Sequence, residues 1–590
     1  MLKNDCSELD YYQLLKKAKR LEPNKGQKLK IALLGEVSTQ HLIPMLRALF
    51  ASNGCDAEIF EAGFDTIEAE AYNPGSDLYA FQPQIVVIVQ SVVKLKNRYY
   101  DYSGDRATFG EQQAAQIEKI WQALQSHLQV PIIQSNFAVP YERPSGNFSQ
   151  KVAGSLQGSV LALNRELFAR AQKHPSVFIN DLENIASWVG RSRFFDEKLY
   201  ALAKAVCALE YLPHVAQNIV DIALAALGRS VKCVVLDLDN TLWGGVVGDD
   251  GLEGIGLGDL DEGGAFRSLQ LFLRELWSRG IILAVCSKNN EEIARKVFTD
   301  HPDMVLRENH IAAFVANWED KASNIARIRE KLNIGYDSMV FLDDNPFERN
   351  LVRQLIPQII VPELPEDPAL YVRAISELNL FEATSQSALD SQRTVMYQEQ
   401  EQREGEAARF ANLEEYLKSL GTTAAFERFE QRNLSRIAQL IQRSNQFNLT
   451  TRRYSEAQCE AFMNDDEHCY PFTITVRDRF GDFGLINVVI LQHRGDALEI
   501  DTFLMSCRVL KRGVEQFAMN QIFEYARANN FKRVIGRYIP TAKNMMVERF
   551  YADFEFTEIP SGGGEGTLWS KDVTTYEPRT VFIQAQEQNS

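Results

Sequence analysis

Three features of the sequence predict an α/β multidomain chain. Its 590 residues exceed what one hydrophobic core organises, so three or four domains are expected. From residue 28 to about residue 368, short apolar runs alternate with helix-length segments, the pattern of parallel sheets covered on both faces. Past about residue 421 strand-like runs surround helical stretches, as in an α+β domain.

Taken in order, runs at 29–34, 85–89, 130–134 and 177–179 predict the strands of a first domain, placed at 1–225. The run 231–236 opens a second α/β unit, with later strands at 281–286, 304–306, 339–342 and 359–361. Pro357, Pro362, Pro365 and Pro368 then punctuate the exit, which bounds that domain at 226–368. Residues 369–420, with QEQEQREGEAARF at their centre, predict a solvated helical connector. The α+β domain, 421–580, is expected to use strands at 423–426, 472–476, 485–492, 498–504 and 533–538. The tail VTTYEPRTVFIQAQEQNS is expected to fray.

Composition excludes several function classes. A formal charge of −16 opposes non-specific nucleic-acid binding. No apolar run approaches the roughly 18 residues of a membrane span, and the N-terminal stretch lacks the apolar core of a signal peptide, so a cytoplasmic protein without membrane or nucleic-acid partners is expected. The eight cysteines are scattered, with no C-x-x-C pair, which predicts reduced and mostly buried thiols.

Chemistry concentrates in VVLDLDNTLWGG, residues 234–245. An apolar run carries Asp237 and Asp239 to the C-terminal edge of a parallel sheet, where open α/β proteins place their sites. Strand alternation turns residues two apart toward one pocket. One carboxylate can then attack phosphorus as a catalytic nucleophile while the other handles the leaving-group proton. The strand 281–286 ends in Ser287-Lys288-Asn289, a hydroxyl and donors suited to phosphate oxygens. Lys321 offers a cation, and Asp343-Asp344 at the end of 339–342 form a hard oxygen pair suited to magnesium. A lone D-x-D is common in solvated loops, whereas four such pieces in order, each at a strand end, are not.

These pieces resemble the four motifs of the haloacid dehalogenase superfamily: Asp237 and Asp239 with Thr241, then Ser287, then Lys321, then Asp343-Asp344. The resemblance implies a Rossmann-like domain holding Mg2+ on Asp237, Asp239, Asp343 and Asp344, with Thr241, Ser287, Lys288, Asn289 and Lys321 around the phosphate. Only a glycine-rich stretch and one helix, at 265–279, separate Asp239 from Ser287, which is too little for a large cap domain. An open site suits a substrate attached to a macromolecule, or one closed by a neighbouring domain.

The segment 501–527 reads as strand, basic turn and helix, and resembles the acetyltransferase-type (GNAT-like) fold, whose turn binds a pyrophosphate through backbone N–H groups. Arg508 and Gly513 match that turn, Lys511 replaces its first glycine, and Asn544, Tyr551 and Phe556 follow in the expected order. The departure at Lys511 disfavours coenzyme A and leaves room for a phosphopantetheine arm. Together with QRSNQFNLTTRRY (442–454), RDRFGDFG (477–484) and MSCRVLKRGVE (505–515), the motifs resemble the FkbH-like family over about residues 230–560. The N-terminal part is similar to that family's SGNH-like pre-domain. Ser38 and Asn136 read there as remnants of a hydrolase site, without the Asp-x-x-His that would supply a base.

This resemblance implies glyceryl transfer from 1,3-bisphosphoglycerate to the phosphopantetheine thiol of an acyl carrier protein, as in polyketide biosynthesis, with loss of phosphate. Cys507, beside the basic turn from Arg508 to Arg512, is the candidate for a transient thioester, and Cys286 competes with it. Asn445, Asn448, Arg452 and Arg453, with Arg508 and Gly513, are candidates for the carrier or pantetheine site; they serve equally well as helix caps and surface anchors. Asp478 and Arg479 are expected to pair at a turn. Two other functions stay open: a phosphatase on a sugar or metabolite phosphate with the C-terminal domain as lid, and a non-catalytic scaffold that docks carrier proteins.

Overall fold

The computed structural model describes residues 10–21, 26–384, 394, 397, 399, 403, 410, 412–506, 509, 510, 512–541, 543–560 and 565–586. The chain forms two compact units: residues 1–230 with 360–363 and 373–384, and residues 231–359 with 364–372 and 385–590.

In the first unit β1 (Gln27–Gly35), β2 (Cys55–Glu61), β3 (Ile85–Val89), β4 (Ile132–Ser135) and β5 (Val177–Asn180) form one parallel sheet in the order β2-β1-β3-β4-β5. Alternation along β1 sends Leu29, Ile31 and Leu33 into a core with Met45 and Ile219, while Ala32 and Leu34 join Ile117 and Trp121 on the other face. Both faces are covered, as continuous apolar runs require. The edge strand β2 was not predicted, because its sequence CDAEIFE is half polar and only half buried.

The second unit opens with β6 (Cys233–Leu236), β7 (Ile282–Ser287), β8 (Ile311–Ala316) and β9 (Met339–Leu342), all parallel and in the order β8-β7-β6-β9. Every residue of β6, β7 and β9 is buried. Leu236 pairs with both Leu342 and Val285, so the residues just past β6, β7 and β9 emerge side by side at one sheet edge. The strand expected at 304–306 is absent; the Val305 and Leu306 N–H groups instead donate to Gln270 Oε1 at 2.9 and 3.2 Å. The strand that pairs β7 is β8, and 359–361 forms no strand of this sheet.

The same unit continues with β10 (Thr423–Arg428), β11 (Cys469–Asp478), β12 (Gly481–Arg494), β13 (Ala497–Met505), β14 (Arg533–Tyr538), β15 (Thr557–Ile559), β16 (Thr567–Asp572) and β17 (Gln584–Ala585). They form an eight-stranded sheet in the order β15-β16-β14-β13-β12-β11-β10-β17. Parallel pairing of β13 with β14 stops at Ile500 and Gly536, although both strands run on. Gly536 is required there, since a Cβ would stand 2.1 Å from the Tyr551 ring.

The tail does not fray over 573–586. Tyr576 stacks on Phe523 with ring centroids 3.8 Å apart, and β17 pairs with β10. The expected solvated connector is also corrected at one residue. Arg403 is fully buried and donates to Asp478 at 2.9 and 3.0 Å.

Candidate active site

The chain leaves β6 at Leu236, so Asp237 and Asp239 lie on the loop beyond it and strand alternation does not orient them. What orients them is a turn. Asn240 takes φ +55°, a left-handed conformation that asparagine tolerates, and its Oδ1 accepts the Gly245 N–H at 2.9 Å. The Asp237 N–H donates to Leu342 O at 3.0 Å, which ties the nucleophile loop to β9 and the Asp343-Asp344 pair.

Asp237, Asp343 and Asp344 each offer a carboxylate oxygen, and the three oxygens lie within 4.8 Å of one another. Lys321 is the first residue of the helix Lys321–Leu332 and is 3% exposed. Its Nζ stands 2.9 Å from Asp237 Oδ2 and 2.5 Å from Asp343 Oδ2. Burial opposes the lysine's charge, but Asp237 and Asp343 outweigh it and hold the ammonium well above its usual range. Burial, with the charge of Asp237 second, pushes the Asp343 carboxyl up to about 7 and also raises Asp344. Asp237 Oδ1 is buried without any hydrogen-bond partner.

Hard oxygen donors, excess negative charge and an orphaned carboxylate oxygen together fit a divalent cation such as magnesium. Asp239 was also expected among the ligands, but its carboxylate lies outside this cluster. It accepts from Trp243 Nε1 at 2.8 Å, from Val247 N at 3.1 Å and from Asn289 Nδ2 at 2.9 Å. Burial still raises its pKa, against the pull of these donors, which suits a group that gives up a proton.

Three of the expected phosphate ligands are otherwise engaged. Thr241 Oγ1 accepts the Asp344 N–H at 3.1 Å and lies 3.4 Å from Asp344 Oδ1, so it braces the acidic pair. Asn289 is spent on Asp239. Lys288 Nζ donates to the buried Glu348 at 2.6 Å. Ser287, 2% exposed at the end of β7, makes no side-chain hydrogen bond among the described residues. Sequence reasoning gave no role to Trp243, Glu348 or Arg349. Arg349 donates to the Asp343 and Asp344 carbonyls at 2.9 and 2.6 Å, and the signal for it was its place in FLDDNPFERN.

The C-terminal candidates fare differently. Cys507, Arg508 and Lys511 lie outside the described residues. Cys286 is buried on β7 with its thiol pushed up by burial, far from thiolate character. Gly513, at φ +83°, caps the helix Val514–Ala528. Arg452 pairs with Asp501, and Arg453 donates to the Ile441 and Ser444 carbonyls and to Asn445. Asn448 is fully buried and bridges Ser444 O and Thr451 N. These three are structural anchors rather than an open carrier surface. Asp478 pairs with Arg403 and Arg512, not with Arg479.

Ser38 and Asn136 line different cavities, and Asn136 is engaged by Asp181 at 2.7 Å and by Glu183 N at 3.2 Å, so no remnant hydrolase pair forms. No described helix is long and apolar enough to cross a membrane.

A family model described as FkbH, N-terminal domain, matches residues 30–224. The crystal structure of the N-terminal part of the protein BF1531 from Bacteroides fragilis, containing a phosphatase domain complexed with Mg, is 39% identical. The match covers 64% of this chain and 99% of that one, with a TM-score of 0.61. The chain belongs to the family of BF1531. No curated protein matches it. The ribosomal-protein-S18-alanine N-acetyltransferase from Escherichia coli aligns at 12% identity over 28% of this chain and 99% of its own, with a TM-score of 0.21. Ard1 from Thermoplasma volcanium aligns at 14% over 25% and 97%, also at 0.21. Likenesses that slight carry no argument about function.

Proposed function

We propose that this BF1531 relative is a magnesium-dependent phosphatase or phosphotransferase of the haloacid dehalogenase type. Asp237 is the nucleophile and Asp239 serves the leaving-group oxygen. The observation that carries the reading is the Asp237 carboxylate itself: one oxygen faces Lys321 and the other is buried and unpaired beside two more carboxylates. Such an arrangement is costly without a ligand and favourable with one. Asp237, Asp343 and Asp344 would hold the ion, which when bound neutralises charge on the phosphoryl oxygens.

The chain's own groups supply the rest. Lys321, 2.9 Å from Asp237 Oδ2, holds that carboxylate in place and adds a positive charge where phosphoryl oxygens collect. Asp239, fixed by Trp243, Val247 and Asn289, gives its proton to the departing oxygen and takes one back from water. The reading is tested with the full chain and p-nitrophenyl phosphate. Turnover should vanish on chelation and return with magnesium; full activity after exhaustive chelation would contradict it.

A finer reading rests on the FkbH resemblance. A thiolate, with Cys507 as candidate, attacks the acyl carbon of 1,3-bisphosphoglycerate; a C–S bond forms, the C–O bond to phosphate breaks, and phosphate departs to give a 3-phosphoglyceryl thioester. Its remaining phosphate ester is hydrolysed with water at the Asp237 site to give the glyceryl group. Thiol exchange then loads the phosphopantetheine thiol of an acyl carrier protein. Asn445 and Ser506, the residue before Cys507, line a cavity of about 720 Å3 together with Arg436 and Lys543, which supports handling of an acyl group in that part of the chain. Lys232, Ile282 and Ser338 line the same cavity, at the edge of the β6–β9 sheet opposite the carboxylates. That placement, with Lys543 Nζ 2.6 Å from Asp337, gives no support to the C-terminal domain as a lid over Asp237. Incubation with the donor and a holo-carrier, read by mass spectrometry, should show glyceryl on the carrier. Free phosphate without any acyl adduct would leave the plain phosphatase.

A further inference from the structure

The first unit holds a cavity that the phosphoryl chemistry does not use. In the order β2-β1-β3-β4-β5 the chain turns from one side of β1 to the other between β2 and β3, and such switch points form crevices at the C-terminal ends of the strands. A cavity of about 270 Å3 lies there, lined by residues just past β1 (Val37), β3 (Gln90, Ser91) and β4 (Asn136, Phe137). Taking a water's share of liquid as about 30 Å3, it equals some nine waters. Its walls are mainly apolar, with Val92, Val139, Leu182 and Phe194 among them.

The polar groups in it have a fixed sense. Trp121 Nε1 only donates, and it donates to Gln134 Oε1 at 3.1 Å. That settles Gln134 Nε2 as the donor to Gln90 Oε1, also at 3.1 Å. Gln90 is 6% exposed, and among the described residues its own Nε2 has no partner. The relay therefore ends in an accessible N–H2, on a residue that lines the cavity, with no protein acceptor among the described residues. Nearby, Ser91 Oγ and Tyr200 OH lie 3.0 Å apart and can offer one further hydroxyl proton or lone pair.

The cations at the rim are already neutralised, and Glu197 adds a further negative charge there. Lys96 pairs with Glu142 and Arg191 with Glu183, so neither cation is left to compensate a buried anion. Asn136 is also engaged, by Asp181 and Glu183.

We propose that this cavity binds a neutral small molecule with an apolar body and a carbonyl oxygen, such as a short acyl amide or ester, the carbonyl accepting from Gln90 Nε2. Each part of the claim follows from one feature: the apolar body from the walls, the acceptor from the donor that Gln90 has left over, and the exclusion of an anion from a rim whose cations are spent. The site is independent of the phosphatase reading.

Hexanamide and hexanoate, equal in length and differing in charge, are the probes, titrated against the full chain by ligand-observed NMR at neutral pH. Hexanamide should bind saturably and at least about tenfold more tightly than hexanoate, the factor that 1.4 kcal/mol represents. Val93→Trp, which places an indole in the cavity from a half-buried wall position, should abolish binding while leaving phosphatase turnover unchanged. Gln90→Leu should weaken hexanamide about tenfold or more. Equal or tighter binding of hexanoate, hexanamide binding that survives Val93→Trp, or no saturation by hexanamide in the millimolar range would each overturn the proposal.

Discussion

Two buried charge clusters in the second unit look alike in the sequence and differ in what they leave undone. At the edge of the β6–β9 sheet, three carboxylates share one lysine, and Asp237 Oδ1 has no partner. In the C-terminal domain, Asp478 accepts from Arg403, Arg512 and the Phe480 and Gly481 N–H groups, so both of its oxygens are satisfied. Arg452 and Arg453 are likewise spent on Asp501, on backbone carbonyls and on Asn445. The first cluster carries excess negative charge until a ligand arrives; in the second Arg403 and Arg512 face Asp478 and Glu399, so charge balances although Arg403 Nη1 has no partner. An unspent carboxylate oxygen within a net negative cluster separates a reactive site from a structural one.

Removing a charge should therefore cost activity in the first cluster and stability in the second. The largest effect is expected for Asp237→Asn, a loss of turnover on the order of 10^4-fold or more. Its melting temperature should hold or rise, because the substitution relieves crowding with Asp343 and Asp344. Turnover within tenfold of wild type would break the distinction.

Asp239→Asn is expected to lose about 10^2–10^4-fold with an alkyl phosphate. With p-nitrophenyl phosphate, whose leaving group needs little protonation, the loss should be clearly smaller. Equal losses on both substrates would remove Asp239 from proton transfer.

Asp478→Ala is the converse case. It removes the carboxylate that the buried Arg403 and Arg512 share and should destabilise folding by about 3–5 kcal/mol. Phosphatase turnover of the folded protein should stay within about twofold, the level at which a mutation far from the chemistry is silent. A large kinetic defect with unchanged stability would join the two clusters functionally.

The smallest effect is a sign. Asp343 is raised from 3.8 to about 7 in the folded, metal-free protein. Between those values the folded state binds more protons than the unfolded one, so stability is greatest below the unfolded value and falls as pH rises through the folded one. Magnesium competes with that proton, so its thermal stabilisation should grow from pH 5 to pH 8. A magnesium effect that shrinks over that range would contradict the assignment of Asp343 as a ligand.

The parallel sheets and the order of the phosphoryl motifs were legible because buried parallel strands read as apolar runs and because each motif follows such a run. The half-polar edge strand β2 and the late strands β15 to β17 were not, since their sequences lack that signature. At the site, residue types pointed to the right neighbourhood but not to the partners. That Asn289 serves Asp239, that Lys288 serves Glu348 and that Thr241 serves Asp344 are long-range facts, set by β6, β7 and β9 lying in register. The anchors among Asn448, Arg452 and Arg453 share their composition with a binding surface, and only their bonds tell the two apart.

The central claim is that Asp237 carries the phosphoryl group. Acid quench of the magnesium-loaded full chain during turnover, followed by peptide mapping, reads it directly. A phosphate adduct labile to hydroxylamine is expected on the peptide containing Asp237, and it should be absent from Asp237→Asn. Continued turnover with phosphate trapped on another residue, or with none trapped on Asp237 under conditions that accumulate the intermediate, would contradict it.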